Sequence, residues 1–290
     1  MSIVFLLMQV LGDPVRRMLP IGTSEERVAE LRTALGLDVP LWQQFWDFAT
    51  GAFTGDFGQS LWLGTPAFPA AVSAIPHTLA IVVPACLIGV AAGGVVGLAA
   101  GRRQGSRFDR IVMGCNYVLI SIAEFWLALV LVYLFAVQFG LVATSGYGLD
   151  FRHLALPILV LATHPFAHTA QVMRASVIQE SAAAYVTTAR ARGLSESAIA
   201  RRHVLPNAAL PVAALAFYDL SRLFIAGTVV EVVFAWPGLG RLAVGALERG
   251  DIRLVEATVF LAAVIVCIFN LLGDLVAHRL DPRIRATSGR

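Results

Sequence analysis

Long apolar stretches run through most of this chain and predict helices that cross a membrane. A helix needs about 20 apolar residues to cross the hydrocarbon core of a bilayer. Five stretches are long and apolar enough, although the fourth carries Asp219, Arg222 and Glu231. We expect five complete spans near residues 77–101, 111–139, 153–178, 207–234 and 252–277. The pattern predicts an all-α, polytopic membrane protein whose core covers residues 77–280.

Shorter elements are expected on both sides of this core. Met1 to Leu11 is apolar, but a helix of this length rises only about 16 Å, half of the bilayer core. We therefore expect residues 1–12 to form the outer part of a first membrane helix, with the remainder upstream of Met1. Residues 13–76 are predicted to be an external region with short helices, and residues 281–290 a cytoplasmic tail.

The arginines predict how the spans are oriented. Every one of the 22 residues in the Lys and Arg class is Arg. Three Arg-rich stretches, 101–110, 174–203 and 279–290, belong on the same side, and the positive-inside rule makes that side the cytoplasm. Residues 13–75 hold four Arg against seven acids, and the linkers 140–152 and 235–256 alternate with the Arg-rich stretches. We expect these three stretches on the outside.

Composition excludes several classes of function. Hydrophobic residues make up 58% of the chain and charged residues 14%, which argues against a disordered or nucleic-acid-binding protein. Without Lys, the chain has neither a Walker-type phosphate loop nor a Schiff-base lysine. The sequence also contains no HExxH or GxSxG motif, and its three cysteines have no CxxC pattern. We expect no enzymatic activity, no cofactor and no nucleic-acid partner.

One polar stretch between two spans, residues 182–205, predicts a helix, a turn and a second helix. Gly193 suits a left-handed position after the first helix, and Leu194 suits the hydrophobic position of a Schellman end. Ser195 is predicted to cap the second helix, which we expect Pro206 to end before the next span. The small residues Ala189, Gly193 and Ala198 would let another protein approach this hairpin closely.

The hairpin sequence resembles a motif of ATP-driven importers. The hairpin contains Gly193, then nine residues, then His203-x-Leu205-Pro206. This arrangement is similar to the EAA loop of ABC importer permeases. Thr187-Thr188-Ala189 stands where that motif has Glu-Ala-Ala, and His203 where it has Ile. This variant resembles the B-type subunit of the dipeptide, oligopeptide and nickel permease family.

Further motifs carry the same resemblance through nearly the whole chain. Similar sequences occur in the same order at residues 12–14, 35–38, 55–61, 145–148, 230–241 and 280–285. The resemblance implies the type I, MetI-like transmembrane fold in a bacterial plasma membrane. It also implies a heterodimer with a paralogous permease, two ATP-binding subunits that hydrolyse the ATP, and an extracytoplasmic solute-binding protein.

Family membership also implies a role for the hairpin, which docks into a groove of the ATP-binding subunit in such importers. The residues expected at or near this coupling contact are Thr188, Ala189, Arg192, Gly193, Ser195, Leu205 and Pro206.

Polar residues within spans are costly and commonly face a pathway or a partner. Glu124, Asp219 and Glu231 are therefore candidates for a substrate path, with a contact to the partner subunit or an interhelix hydrogen bond as the alternatives for Glu124. Asp219 and Arg222 are three residues apart on one helix face, and we expect them to form a local ion pair. A pair of histidines, His164 and His168, has the spacing of a metal clamp. Two ligands do not make a site, so the sequence predicts a structural role and no metal centre.

The cargo is open at this point. Di- and oligopeptides are the first interpretation, and the alternative is the same fold importing nickel or another small solute. The genes beside this one would separate the two, because they would encode either a peptide-binding or a nickel-binding partner.

Overall fold

The computed structural model describes residues 24–26 and 39–280, and within them the regular structure is helical. The predicted first helix, the 35–38 motif and the tail lie outside the described residues. The α-helices are α1 (Leu41–Thr54), α2 (Ala67–Arg102), α3 (Arg107–Ser121), α4 (Glu124–Leu131), α5 (Phe151–Ser181), α6 (Ala184–Ala191), α7 (Glu196–Ile199), α8 (Leu205–Val233), α9 (Leu239–Glu248) and α10 (Ile252–Leu280). Two π-helical segments, Val132–Gln138 and Ala200–Val204, follow α4 and α7.

The chain divides into two compact units. Of the described residues, the first unit contains those up to 78 and 236–264, and the second contains 79–235 and 265–280.

In the first unit, a buried carboxylate holds the loop after α1 against the start of α10. Asp251 is fully buried and accepts hydrogen bonds from the Ser60 hydroxyl at 2.6 Å and from the Trp62 N–H at 3.0 Å. Its other oxygen accepts the N–H of Leu254 at 3.2 Å, within the first turn of α10. A buried carboxylate is stable only when its hydrogen bonds are made, so this residue specifies the conformation of the loop.

In the second unit, α5 packs against α3, α4 and α8, and glycines of α2 also contact it. These glycines recur every four residues and therefore lie on one face of α2: Gly89, Gly93, Gly97 and Gly101. A Cβ on Gly93 would overlap with the backbone oxygen of Phe166, and one on Gly97 would lie 2.9 Å from the Cα of Ala170. The two helix backbones are therefore too close for any larger residue on this face.

The predicted span at 111–139 differs from a single straight helix. It consists of α3 and then α4 with its π-helical segment, bent by 100° at a short break. Ile122 and Ala123 both adopt extended backbone conformations, and this ends α3. Glu124 is then the first residue of α4, where a negative charge is favoured by the helix dipole. Because of this break, Glu124 lies at the N-terminus of a helix and not in the middle of a straight span.

Pro206 does not end the helix that precedes it, contrary to the sequence prediction. The helical stretch from Glu196 to Val233 is continuous over 38 residues. Immediately before Pro206 the helix widens into the π-helical segment, which provides space for a ring that would otherwise clash with the preceding turn. The Asn207 side chain donates to the carbonyl of His203 at 2.9 Å and so satisfies an oxygen in this turn.

Three described helices are long and apolar enough to cross a membrane, namely Ala67–Arg102, Glu196–Val233 and Ile252–Arg279. The bent pair α3 and α4 makes a fourth candidate if it is one span. Helix α5 is long enough, but it is more polar than these. The all-α membrane fold is confirmed, whereas the number of five complete spans stays a prediction.

We predict that Gly93→Val destabilises the chain by about 1–3 kcal/mol, because the added side chain meets backbone that cannot move aside. The midpoint of thermal unfolding in detergent measures this change. Gly94→Val is the matched control, since a Cβ there would have only the flexible end of Met173 nearby, at 3.8 Å. An equal loss of stability in both variants would contradict close packing at the glycine face.

Candidate functional site

The turn of the hairpin has the geometry of a Schellman end, as the sequence predicts. Gly193 has a φ of +78°, in the left-handed region that favours glycine. Its N–H donates to the carbonyl of Arg190 at 2.9 Å, and the N–H of Leu194 donates to the carbonyl of Ala189 at 3.3 Å. These two hydrogen bonds define the motif. A Cβ on Gly193 would have no heavy atom within 4 Å, so only the backbone conformation requires glycine in this chain.

The second half of the hairpin begins with the predicted cap. The Ser195 hydroxyl accepts the N–H of Ala198 at 3.4 Å, which satisfies one free donor at the start of α7. Arg190 and Glu196 link the two helices through an exposed ion pair of 2.6 Å. The hydrogen bond that Arg190 donates to this carboxylate raises the pKa of the guanidinium above its ordinary value. The pair is exposed to solvent and adds little to stability.

A hydrophobic cluster joins the hairpin to the end of α5. It contains Met173 and Val177 of α5 together with Val186, Ala189, Ile199, Val204, Ala208 and Val212. Leu194 packs against it, as the hydrophobic position of a Schellman end does. These side chains form one core, so the hairpin is packed directly against α5 and the first turns of α8.

The predicted coupling residues do not all lie on the surface. Thr188, Arg192, Gly193 and Ser195 are exposed. Ala189, in contrast, is only 8% exposed and packs into the cluster inside the hairpin, so it does not present its side chain to a partner. The reason is helical geometry, which turns Ala189 toward α5 while its neighbour Thr188 faces outward.

The remaining two coupling candidates lie at the start of α8. Leu205 is half-buried and packs against the cluster, and Pro206 is exposed.

A second group of polar residues lies within the membrane-spanning part of this unit. The guanidinium of Arg222 in α8 forms an ion pair with the Glu124 carboxylate in α4, with Nη2 and Oε1 2.8 Å apart. Both side chains line a cavity of about 400 Å³, together with His164 and Thr163 of α5. Glu124 thus lies at a polar opening, with its charge balanced by a cation from another helix.

The predicted ion pair between Asp219 and Arg222 is wrong. Asp219 is fully buried, and its Oδ1 lies 3.2 Å from Nδ1 of His168 in α5. Arg222 points instead toward α4 and pairs with Glu124. A spacing of three residues brings two Cβ atoms together but leaves each side chain free to take a stronger partner on another helix.

The other candidates for a substrate path are buried away from the cavity. Asp219 and Glu231 both have 0% exposure, and neither lines the cavity. The positions of Arg222 and His164 at the cavity were not predicted from the sequence. No local pattern reveals them, because the partner of Arg222 is 98 residues away in the sequence.

The structure also contains a buried ion pair that the sequence does not indicate. Arg174 of α5 donates to both oxygens of Asp109 in α3, at 2.5 and 2.8 Å. Asp109 also accepts the N–H of Gly105 at 2.9 Å, so the linker before α3 is attached to α5. This bidentate arrangement fixes the end of α5 nearest to the hairpin.

Comparisons with known proteins agree with the sequence pattern. Residues 93–286 match a protein family described as binding-protein-dependent transport system inner membrane component. The dipeptide transport system permease protein DppB of Escherichia coli (strain K12) is 33% identical over 305 residues, which cover 94% of this chain and 90% of that protein.

Two further relatives have similar coverage. A putative peptide transport system permease protein of Brucella abortus (strain 2308) is 33% identical, over 97% of this chain and 92% of its own length. The di/tripeptide transport system permease protein DppB of Pseudomonas aeruginosa (strain UCBPP-PA14) is 31% identical, over 94% of this chain and 90% of its own length.

Two solved structures share the fold. The MetNI methionine ABC transporter in inward-facing conformations has a TM-score of 0.62 at 20% identity, and the match covers 73% of this chain and 96% of the chain in that structure. An amino acid ABC transporter has a TM-score of 0.59 at 19% identity, and the match covers 73% of this chain and 94% of the chain in that structure. The MetI-like fold expected from the sequence is thereby confirmed.

We predict that Arg222→Gln destabilises the chain by about 1–3 kcal/mol, because it leaves the carboxylate of Glu124 without its cation. The double variant Arg222→Gln with Glu124→Gln should lose less stability than the two single changes combined. Thermal unfolding of the four proteins measures this coupling. The same cycle with Asp219→Asn is the control, and a larger coupling of Arg222 with Asp219 than with Glu124 would refute the ion pair described here.

Proposed function

This chain belongs to the family of binding-protein-dependent transport system inner membrane components, and from this we propose that it is a permease subunit of an ATP-driven importer of di- and oligopeptides. In this family the permease is a transport subunit, and ATP hydrolysis and solute capture belong to ATP-binding subunits and a solute-binding protein. The three relatives described above are all named for peptide transport, and this favours peptides over nickel or another small solute.

The proposed assembly pairs this chain with a paralogous permease, so that each contributes half of the translocation path. Large apolar side chains are exposed on α3 and α4, among them Tyr117, Val118, Phe125 and Trp126. A second permease and the lipid bilayer are the proposed neighbours of this surface. No catalytic residue is proposed in this chain.

The 182–205 hairpin is proposed to couple ATP hydrolysis to transport. The observation that carries this proposal is the core that it shares with α5 and α8. A force on the exposed residues Thr188, Arg192, Gly193 and Ser195 would pass through packed side chains into both helices. Leu205 and Pro206 lie where this force would enter α8.

The proposed orientation follows from the arginines. Arg192, Arg201 and Arg202 are exposed on or beside the hairpin, and Arg102 and Arg103 are exposed at the end of α2. With these groups and the C-terminus in the cytoplasm, the charge distribution satisfies the positive-inside rule. The loop after α1, which Asp251 holds, would then lie outside and be available to the solute-binding protein.

The cavity between α4, α5 and α8 is proposed to lie on the substrate path. The carboxylate of Glu124 and the guanidinium of Arg222 both line it, and they form an ion pair with each other. A peptide in its zwitterionic form carries an ammonium and a carboxylate, and it can exchange with the pair while every charge keeps a counter-charge. Asp219 and Glu231 do not line this cavity, and we propose no contact between them and the peptide.

We predict that Gly193→Val uncouples the assembled transporter. A β-branched residue is strained at a φ of +78° by about 1 kcal/mol or more, so the turn shifts and its docking surface with it. Peptide uptake and peptide-stimulated ATP hydrolysis in proteoliposomes should both fall several-fold, while peptide binding to the solute-binding protein is unchanged.

The matched control for this variant is Gly140→Val. Gly140 has a φ of +62° and no heavy atom within 4 Å of a Cβ, so it carries the same backbone strain in a different loop. Equal loss of uptake in the two variants would show that strain alone, and not the hairpin, causes the defect. Normal uptake in Gly193→Val would refute the coupling role.

We also predict that Glu124→Gln lowers the apparent affinity for peptide by about tenfold, the equivalent of one charge contact of about 1.4 kcal/mol. Assembly and basal ATP hydrolysis should remain unchanged. Asp274→Asn removes an exposed carboxylate of α10 that does not line the cavity, and it serves as the control. Loss of assembly in Glu124→Gln would instead indicate a structural residue.

A further inference from the structure

Two histidines and an aspartate of the second unit converge between α5 and α8. His164 and His168 lie four residues apart in α5, and Asp219 faces them from α8. One ligand atom from each residue lies within 4.8 Å of the others. We refer to these three residues as the His–Asp cluster. The sequence indicates only the two histidines, because the third residue is 51 positions away from His168.

Two atoms of the His–Asp cluster are buried without a hydrogen-bond partner among the described residues. They are Oδ2 of Asp219 and Nδ1 of His164. Asp219 has no exposed surface, so its second oxygen is not in contact with bulk solvent. An unsatisfied carboxylate oxygen in such a place destabilises the folded chain. These unpartnered atoms belong to the same group of three residues and point to a ligand that bridges them.

We propose that the His–Asp cluster binds a divalent transition-metal ion of the zinc, nickel or cobalt type. Imidazole nitrogens with one carboxylate suit these ions, whereas magnesium and calcium prefer oxygen ligands alone. The distance of 3.2 Å between His168 Nδ1 and Asp219 Oδ1 is close to the separation of about 3.3 Å between two ligands of a tetrahedral zinc site.

The surrounding charges allow such an ion. Arg222 lies on the same helix as Asp219, but its charge is balanced by Glu124 at 2.8 Å. His164 also lines the cavity, so a fourth coordination position can be taken by water or by a group from the cavity. The metal would connect α5 to α8 in the middle of the unit. This binding activity goes beyond peptide import and does not depend on the identity of the cargo.

The test uses the full chain, assembled with its partners, in nanodiscs after treatment with a chelator. Equilibrium dialysis against Zn²⁺ or Ni²⁺, followed by elemental analysis, should give one bound ion per copy of this chain. With Co²⁺, the visible spectrum should show the intense bands of a tetrahedral site. Asp219→Asn and His168→Gln should each weaken binding at least tenfold, and wild type should unfold at a higher temperature with the ion than without it.

The matched control is His153→Gln, which removes another histidine that contacts a carboxylate, that of Asp150, outside the His–Asp cluster. Binding should remain unchanged in this variant. His164→Gln covers the case in which a change at the buried Asp219 prevents folding, because His164 is only half-buried and lines the cavity. Absence of binding in wild type, or equal binding in wild type and His164→Gln, would overturn the proposal.

Discussion

The close contact between the backbones of α2 and α5 is the constraint on which the second unit depends. At Gly93 and Gly97 the two helices approach until no side chain fits between them. Once α5 has this position, its polar residues meet fixed partners on other helices. Arg174 reaches Asp109 in α3, and His168 reaches Asp219 in α8. The glycines thus determine which charges are paired, although none of them carries a polar side chain.

The parts of the structure that the sequence predicts well are those whose causes are local. The hairpin turn needs only a residue that tolerates positive φ at Gly193, a hydrophobic residue at Leu194 and a hydroxyl at Ser195. All three lie within three consecutive positions, so the motif is visible without any knowledge of packing. The apolar stretches of α2 and α10 are equally local, since length and composition alone make a span.

Long-range choices could not be predicted in the same way. The spacing of Asp219 and Arg222 is compatible with a local pair, but each side chain has a partner 51 or 98 residues away instead. Pro206 would end an isolated helix, yet the π-helical segment before it keeps α8 continuous with α7. The bend after Ser121 is also not marked in the sequence, because neither a proline nor a glycine lies between residues 117 and 128.

The contact between His168 and Asp219 and the packing of the hairpin both involve α5 and α8. The hairpin shares its core with the end of α5 and the beginning of α8. Farther along these helices, His168 and Asp219 are joined by one contact of 3.2 Å. A relative shift of α5 and α8 by about 1 Å would lengthen that contact beyond the range of a hydrogen bond. A displacement at the hairpin would therefore reach the buried carboxylate and, through Arg222 on the same helix, the ion pair at the cavity.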